Sequence, residues 1–181
     1  LYSHRSTLLH ALASCMKDIL ALSSRECVLL IVPMFHANGW GVPYSAAMAG
    51  AKLVFPGAAL DGASVCELLR GEGCTLSMGV PTVWLGMLAH LEKHPEARPT
   101  QLRRGLIGGS AAARSLIARL ESELSMEVIH LWGMTEMSPV GTGALRPRRW
   151  EAMTSDQQLD LKVKQGRVMW GVEMKIVDDN G

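Results

Sequence analysis

What the sequence lacks sets the first bounds on it. Its four cysteines, Cys15, Cys27, Cys66 and Cys74, include no CxxC pair, and all fall in helix-like or strand-like stretches. Three pairings would be open to four oxidised thiols, but nothing here marks a secreted disulfide scaffold, so reduced, buried thiols are expected. No apolar run reaches the roughly 20 residues a membrane-spanning helix needs, and no charged-then-apolar leader is seen. Charge of one sign is missing too: 18 Lys+Arg against 17 Asp+Glu leave a formal +1. That removes the electrostatic case for nucleic acid or an anionic membrane surface. The tightest basic cluster, Arg146-Pro147-Arg148-Arg149, is too short to change this and reads as a solvated loop. There is no internal repeat, no low-complexity segment and no G-x-S-x-G elbow, which excludes a serine hydrolase. His90 and His94 have the i, i+4 spacing that can hold zinc on a helix. Glu92 is not in an HExxH frame, however, no third ligand is evident, and Pro95 ends the helix, so a solvated face is the better reading.

What is present is a chain of 181 residues, 48% apolar, long enough to bury about 70% of its unfolded surface in one domain. Short continuous apolar runs predict strands at Glu26–Pro33, Ala51–Pro56, Cys74–Val80, Leu102–Ile107 and Met126–Trp132. Apolar residues at helical spacing predict helices over Leu1–Leu22 (capped by Ser6 or Thr7), Gly39–Gly50, Asp61–Arg70, Pro81–His90 and Ala111–Leu124. Glu92–Thr100 reads as a surface loop. After Pro139 the rhythm changes: Gly141–Gln165 is polar, with one short helix at Thr154–Lys164, and Gln165–Asp178 reads as two short strands around Gly171. Strands alternating with helices imply βαβ units. The expected fold is therefore α/β, a doubly wound, mostly parallel sheet with flanking helices and a short β-ribbon near the C-terminal end. The first residue is Leu1, and Asp178-Asp179-Asn180-Gly181 is a turn signal, so both ends look cut from something longer.

The stretch Val128–Pro139, VIHLWGMTEMSP, concentrates the chemistry. A buried strand breaks at Gly133, and Thr135, Glu136 and Ser138 follow where a parallel strand opens into a loop. Ligands of open α/β sheets bind outside the carboxyl ends of the strands. One rim thus gains an aromatic plate, a hydroxyl and a carboxylate, suited to a nucleotide's base, a phosphate oxygen and a magnesium ion. The plainer alternative makes Trp132 a core residue and Glu136 a solvated acid. Gly108-Gly109-Ser110, between a strand and a helix, would let the backbone approach a planar base closely, or serve as an ordinary turn. His36, after a strand, could orient a carboxyl oxygen, or be a structural hydrogen-bonder.

These residues fall into a wider pattern. Trp132-Gly133-Met134-Thr135-Glu136 resembles the Y-G-x-T-E motif of the adenylate-forming (AMP-binding) acyl-CoA synthetases, with tryptophan where tyrosine is commoner. Met34–Trp40 (MFHANGW) resembles the P-M-F-H-x-N-x-W segment of the fatty acyl members, and Gly79–Trp84 their G-V-P-T-V-W. Gly108–Ala111 resembles the adenine-side G-G-S-A loop, and Tyr2-Ser3-His4-Arg5-Ser6 the S-H-R segment that follows the phosphate loop. Gly166-Arg167-Val168 with Gly171-Val172-Glu173 resembles a late G-x-x-x-x-G-V-E segment.

The matches run in the family's order over nearly the whole chain and favour its medium/long-chain fatty acid branch. The resemblance implies a partial N-terminal adenylation domain over residues 1–181. The phosphate loop would precede Leu1, and the ribose-binding segment and C-terminal lysine domain would follow Gly181. It implies ATP/AMP, Mg2+ and coenzyme A as cofactors and a fatty acid as substrate, in a cytoplasmic enzyme with peripheral membrane association allowed and a homodimer allowed for the parent.

By the same resemblance His36, Thr135 and Glu136 are catalytic, Glu136 being the metal ligand. Gly108, Gly109, Ser110, Ala111, His130, Trp132, Gly133 and Thr135 hold the nucleotide. His36, Trp40, Gly79, Val80 and Pro81 face the acyl substrate, Trp40 as a gate, while Trp84 reads as core. His130-Leu131-Trp132 departs from the usual Q-G-Y, and losing that glycine puts backbone contacts by Leu131 in doubt. Two alternatives stay open: a ligase for a short or methylthio-substituted acid, and a non-catalytic nucleotide- or acyl-binding module.

Overall fold

The apolar runs become strands whose side chains alternate between two cores. In the computed structural model, which describes residues 1–179 and 181, these strands are β1 (Cys27–Leu30), β2 (Lys52–Val54), β3 (Leu76–Gly79), β4 (Arg104–Ile107) and β5 (Glu127–Gly133). They join β6 (Val140–Gly143) and β7 (Arg167–Val168) in one sheet of order β2-β1-β3-β4-β5-β6-β7. The pairings from β2 through β5 are parallel, and β5-β6-β7 are antiparallel.

Val28 and Leu30 of β1 face a core shared with Ile19, Leu20 and Val42, while Cys27 and Leu29 face the opposite one. Helices α4 (Gly62–Gly71), α5 (Pro81–Lys93), α6 (Arg114–Leu124) and α7 (Ser155–Val163) pack on that second face. Burial on both faces is why the central strands β1 and β3 read as continuous apolar runs. The sheet is doubly wound, as expected.

Local signals place several helix starts. Asp61 accepts from the N–H groups of Ala63 and Ser64 at 3.1 Å, Pro81 opens α5, and Thr154 with Gln157 forms a capping box on α7. Trp84 is core: it is 1% exposed, and its indole N–H donates to the Leu106 carbonyl at 3.2 Å. The four cysteines are free thiols, three of them buried.

Elsewhere the structure corrects the sequence reading. Helix α1 (His4–Cys15) is capped by Ser3, which accepts the Ser6 N–H at 3.0 Å. It stops at Cys15 because Ile19, Leu20 and Leu22 enter the core from irregular backbone. The helix expected over Gly39–Gly50 divides into α2 (Ala37–Trp40), a single left-handed turn, and α3 (Val42–Ala49). Helix α6 begins at Arg114, so 108–113 stays a loop. Strand β6 was not anticipated.

Of the two strands expected around Gly171, only Arg167–Val168 forms; 172–177 has no strand beside it among the described residues. The antiparallel ribbon is instead β6 with β7. The turn signal Asp178-Asp179-Asn180-Gly181 lies partly outside the described residues, at Asn180.

Candidate active site

Three strand ends supply the site. After β1 the chain runs through Ala37, Asn38, Gly39, Trp40 and Gly41, all with positive φ (49°, 55°, 60°, 54° and 71°). A left-handed backbone costs a non-glycine residue about 1–2 kcal/mol, so packing must hold this turn. The Trp40 indole is buried, at 8% exposure, against Gly108 and Gly109. Gly41 sits against the His10 ring, where a Cβ would stand 2.5 Å from Nδ1. Burial lowers the His10 pKa to about 4.

At the end of β5, a Cβ on Gly133 would run into the Pro139 carbonyl oxygen, which accepts the Met134 N–H at 2.9 Å. That closure folds 134–139 into a tight loop, with Thr135–Met137 as one 3-10 turn and Thr135 and Glu136 exposed at its rim.

Together the ends enclose a cleft of about 310 Å³. His36, Ala37 and Trp40 line it from β1, Gly108 and Gly109 from β4, Leu131 through Glu136 from β5, and Pro139 and Val140 from the β6 side. It lies at the carboxyl ends of the parallel strands, as anticipated. Eight nominated residues meet there: His36, Trp40, Gly108, Gly109, Trp132, Gly133, Thr135 and Glu136. Leu131 lines it as well, despite the departure from Q-G-Y.

Others do not. Ser110 and Ala111 are exposed on the same loop, outside the lining. Val80 meets the cleft's edge, its Cγ1 3.0 Å from where a Gly109 Cβ would be, while Gly79 is buried near Val83 and Trp84 and Pro81 opens α5. His130 has no cleft contact. It shares a face with Val128, towards α6 and α7, and is fully buried. Its Nε2 accepts the Ala112 N–H at 3.3 Å, and its Nδ1 lies 3.1 Å from the carbonyl oxygens of Lys162 and Val163. Trp132 has the same parity but lies past the last β4–β5 pair, Ile107 with His130, at an irregularity in the pairing with β6. It therefore opens into the cleft.

The sequence reading missed Ala37, Met134, Pro139 and Val140, the last two because β6 carries too weak a strand pattern to find. It also missed Tyr2. The Tyr2 hydroxyl is shut off from solvent and lies near the Thr135 side chain, with no partner at full hydrogen-bonding geometry among the described residues. Burial raises its pKa; Thr135 opposes that and the Glu136 carboxylate adds to it. Tyr2 thus packs behind the Thr135–Glu136 turn, outside the cleft lining.

For a metal, Glu136 is the single carboxylate lining the cleft, and no group of three or more His, Cys, Asp or Glu that could hold an ion exists among the described residues. One carboxylate fits a magnesium ion carried mainly by phosphate oxygens and water, not a protein cage. Among the described residues no lysine or arginine lines the cleft.

Over 181 residues, all of this chain and 33% of the relative, the chain is 49% identical to a medium-chain-fatty-acid–CoA ligase of Ectopseudomonas oleovorans. With the same coverage it is 45% identical to a 3-methylmercaptopropionyl-CoA ligase of Ruegeria lacuscaerulensis. It is 46% identical to a long-chain-fatty-acid–CoA ligase of Thermus thermophilus, over 99% of this chain and 33% of that one. The chain thus spans about a third of the length of these curated relatives. In fold it is similar to an anthranilate CoA ligase solved with anthranoyl-AMP, with a TM-score of 0.83 at 20% identity, over 99% of this chain and 33% of that one. The family described as AMP-binding enzyme matches residues 1–181, the whole of the chain, and the chain belongs to the AMP-binding enzyme family.

Proposed function

We propose that residues 1–181 form part of the N-terminal adenylation domain of an ATP-dependent fatty acid–CoA ligase. Its two half-reactions are attack of a carboxylate on the α-phosphorus of ATP, releasing pyrophosphate, and displacement of AMP by the coenzyme A thiol. One observation carries the reading: Trp132, Thr135 and Glu136 share a cleft with His36, Trp40 and Gly108–Gly109.

In it, Trp132 covers a face of adenine, and Gly108-Gly109 admits the base close to the backbone, with Ser110 and Ala111 at its outer edge. The hydroxyl of Thr135 donates to a phosphate oxygen. His36 hydrogen-bonds the reacting carboxylate and holds it in line, which converts an encounter into a positioned reaction. Trp40 stands between the two substrates as the gate, with Val80 at the acyl-side rim and Gly79 and Pro81 shaping the backbone behind it. Glu136 would hold a magnesium ion, whose charge would offset that of the phosphates.

The cleft itself brings no cation to the phosphates, so the 181-residue chain alone is expected to make no acyl-adenylate, whereas the full-length parent does. Pyrophosphate exchange with ATP and a fatty acid tests both statements. Exchange by the chain alone, well above a buffer blank, refutes the first; no exchange by the parent favours a non-catalytic binding module. A second acid class is supported by the 45% identity to a 3-methylmercaptopropionyl-CoA ligase. Comparing 3-methylmercaptopropionate with a series of unbranched fatty acids on the parent distinguishes the two.

A further inference from the structure

We infer that His130 is a positioning residue for the nucleotide: it ties the 108–113 loop to helix α7 and so sets the height of the Gly108–Gly109 ledge. The inference rests on the nucleotide reading given above. A histidine that is 0% exposed with both ring nitrogens engaged is neither a loose core filler nor a free acid or base. The carbonyl oxygens of Lys162 and Val163 can only accept, so Nδ1 carries the proton and donates to them. Nε2 is then the acceptor, and the Ala112 N–H donates to it.

The loop needs such a tether. Ser110 and Ala111 are exposed and Gly109 has φ +78°, while Ala112, the residue bonded to His130, is buried at 4%. The other end of the tether is fixed. The Lys162 ammonium pairs with Glu121, whose Oε1 also accepts the Val128 N–H at 3.0 Å, and it lies 5.2 Å over the Trp150 ring. The C-terminal carbonyls of α7 are therefore held against α6 and β5, and His130 passes that position to the loop. A network with every member satisfied fixes geometry in a way an apolar residue of the same volume cannot.

The test uses the full-length parent and two variants, with calorimetric titration of AMP, separate titration of a fatty acid, and thermal melting. His130→Phe keeps a planar ring and removes both nitrogens. His130→Gln keeps one donor and one acceptor. In the Phe variant AMP binding should weaken about tenfold or more, roughly 1.4 kcal/mol, with fatty acid binding within threefold of wild type. In the Gln variant AMP binding should return to within threefold.

AMP binding by a folded Phe variant within threefold of wild type overturns the inference. So does a parallel loss of both ligands with a lowered melting temperature, which marks a merely structural role. If the Phe variant does not fold, the Gln variant decides: wild-type-like AMP affinity supports the tether, and tenfold weaker binding by folded protein overturns it. A wild-type parent that binds no AMP refutes the nucleotide reading itself, which separates that failure from this one.

Discussion

The Trp40 indole rests on Gly108, its Cη2 only 3.1 Å from where a Cβ on that glycine would stand. The residue proposed as the acyl gate therefore sits on the ledge proposed for adenine, and at 8% exposure it belongs to the same core as Leu30, Leu106 and Leu131. Its backbone at φ +54° stores strain that unwinding the turn would release. In the full-length parent, Trp40→Ala distinguishes the two roles. A fixed core tryptophan should cost about 3–5 kcal/mol on truncation. A gate should let fatty acid bind without ATP, and since Trp40 is also packed in this core, a loss of stability is expected beside it. Calorimetry on the nucleotide-free variant reads both; a large stability loss with unchanged acid binding rejects the gate.

Glu136 is exposed at the rim and has no cationic neighbour lining the cleft. In the parent, Glu136→Ala should lower the adenylation rate about a hundredfold or more, since a magnesium ion stabilises transition-state charge by several kcal/mol. Fatty acid affinity should change little. Turnover within a fewfold of wild type at saturating magnesium would remove Glu136 from the metal.

Glu121 holds the buried ammonium of Lys162 and the Val128 N–H together. Removing one partner of a buried pair leaves the other charge uncompensated, at a cost of about 3–5 kcal/mol. Glu121 keeps some exposure, 26% at its side chain against 9% for Lys162, so the lower end of that range is expected for Glu121→Ala. Urea unfolding of the parent measures it, and a loss below about 1 kcal/mol would mean the pair is well solvated.

His10 gives a pH dependence whose sign follows from burial. Its pKa in the folded protein, about 4, lies below the usual 6.5, so between those values the unfolded chain takes up a proton that the native state does not. Stability is thus whole above pH 6.5 and falls as pH drops towards 4, by up to about 3 kcal/mol from this group. Replacing it by His10→Gln should flatten that limb of the stability profile. An unchanged slope between pH 6.5 and 4 would assign the loss to other groups.

Much of this molecule was legible in its sequence, and the reasons differ by element. The runs that became β1, β3, β4 and β5 are largely apolar on both faces because both faces are buried, a local signature that needs no knowledge of the partner strand, while the edge strand β2 keeps an exposed lysine. Asp61 and Pro81 mark helix starts through hydrogen bonds and φ restrictions that act within one turn. The spacing from Phe35-His36 through Gly108-Gly109 to Thr135-Glu136 likewise survives as text, since each motif caps its own strand.

Only the tertiary structure decided the rest. Val140-Gly141-Thr142-Gly143 has little strand character alone and becomes β6 because β5 offers it an edge. The left-handed turn at 37–41 exists because Trp40 finds its seat on Gly108, a contact 68 residues away in sequence. His130 and Trp132, two residues apart on one strand, part company because the β4 pairing ends between them. Residue types and periods report what a chain can do locally; which way a side chain faces is settled by the neighbours that non-local pairing brings.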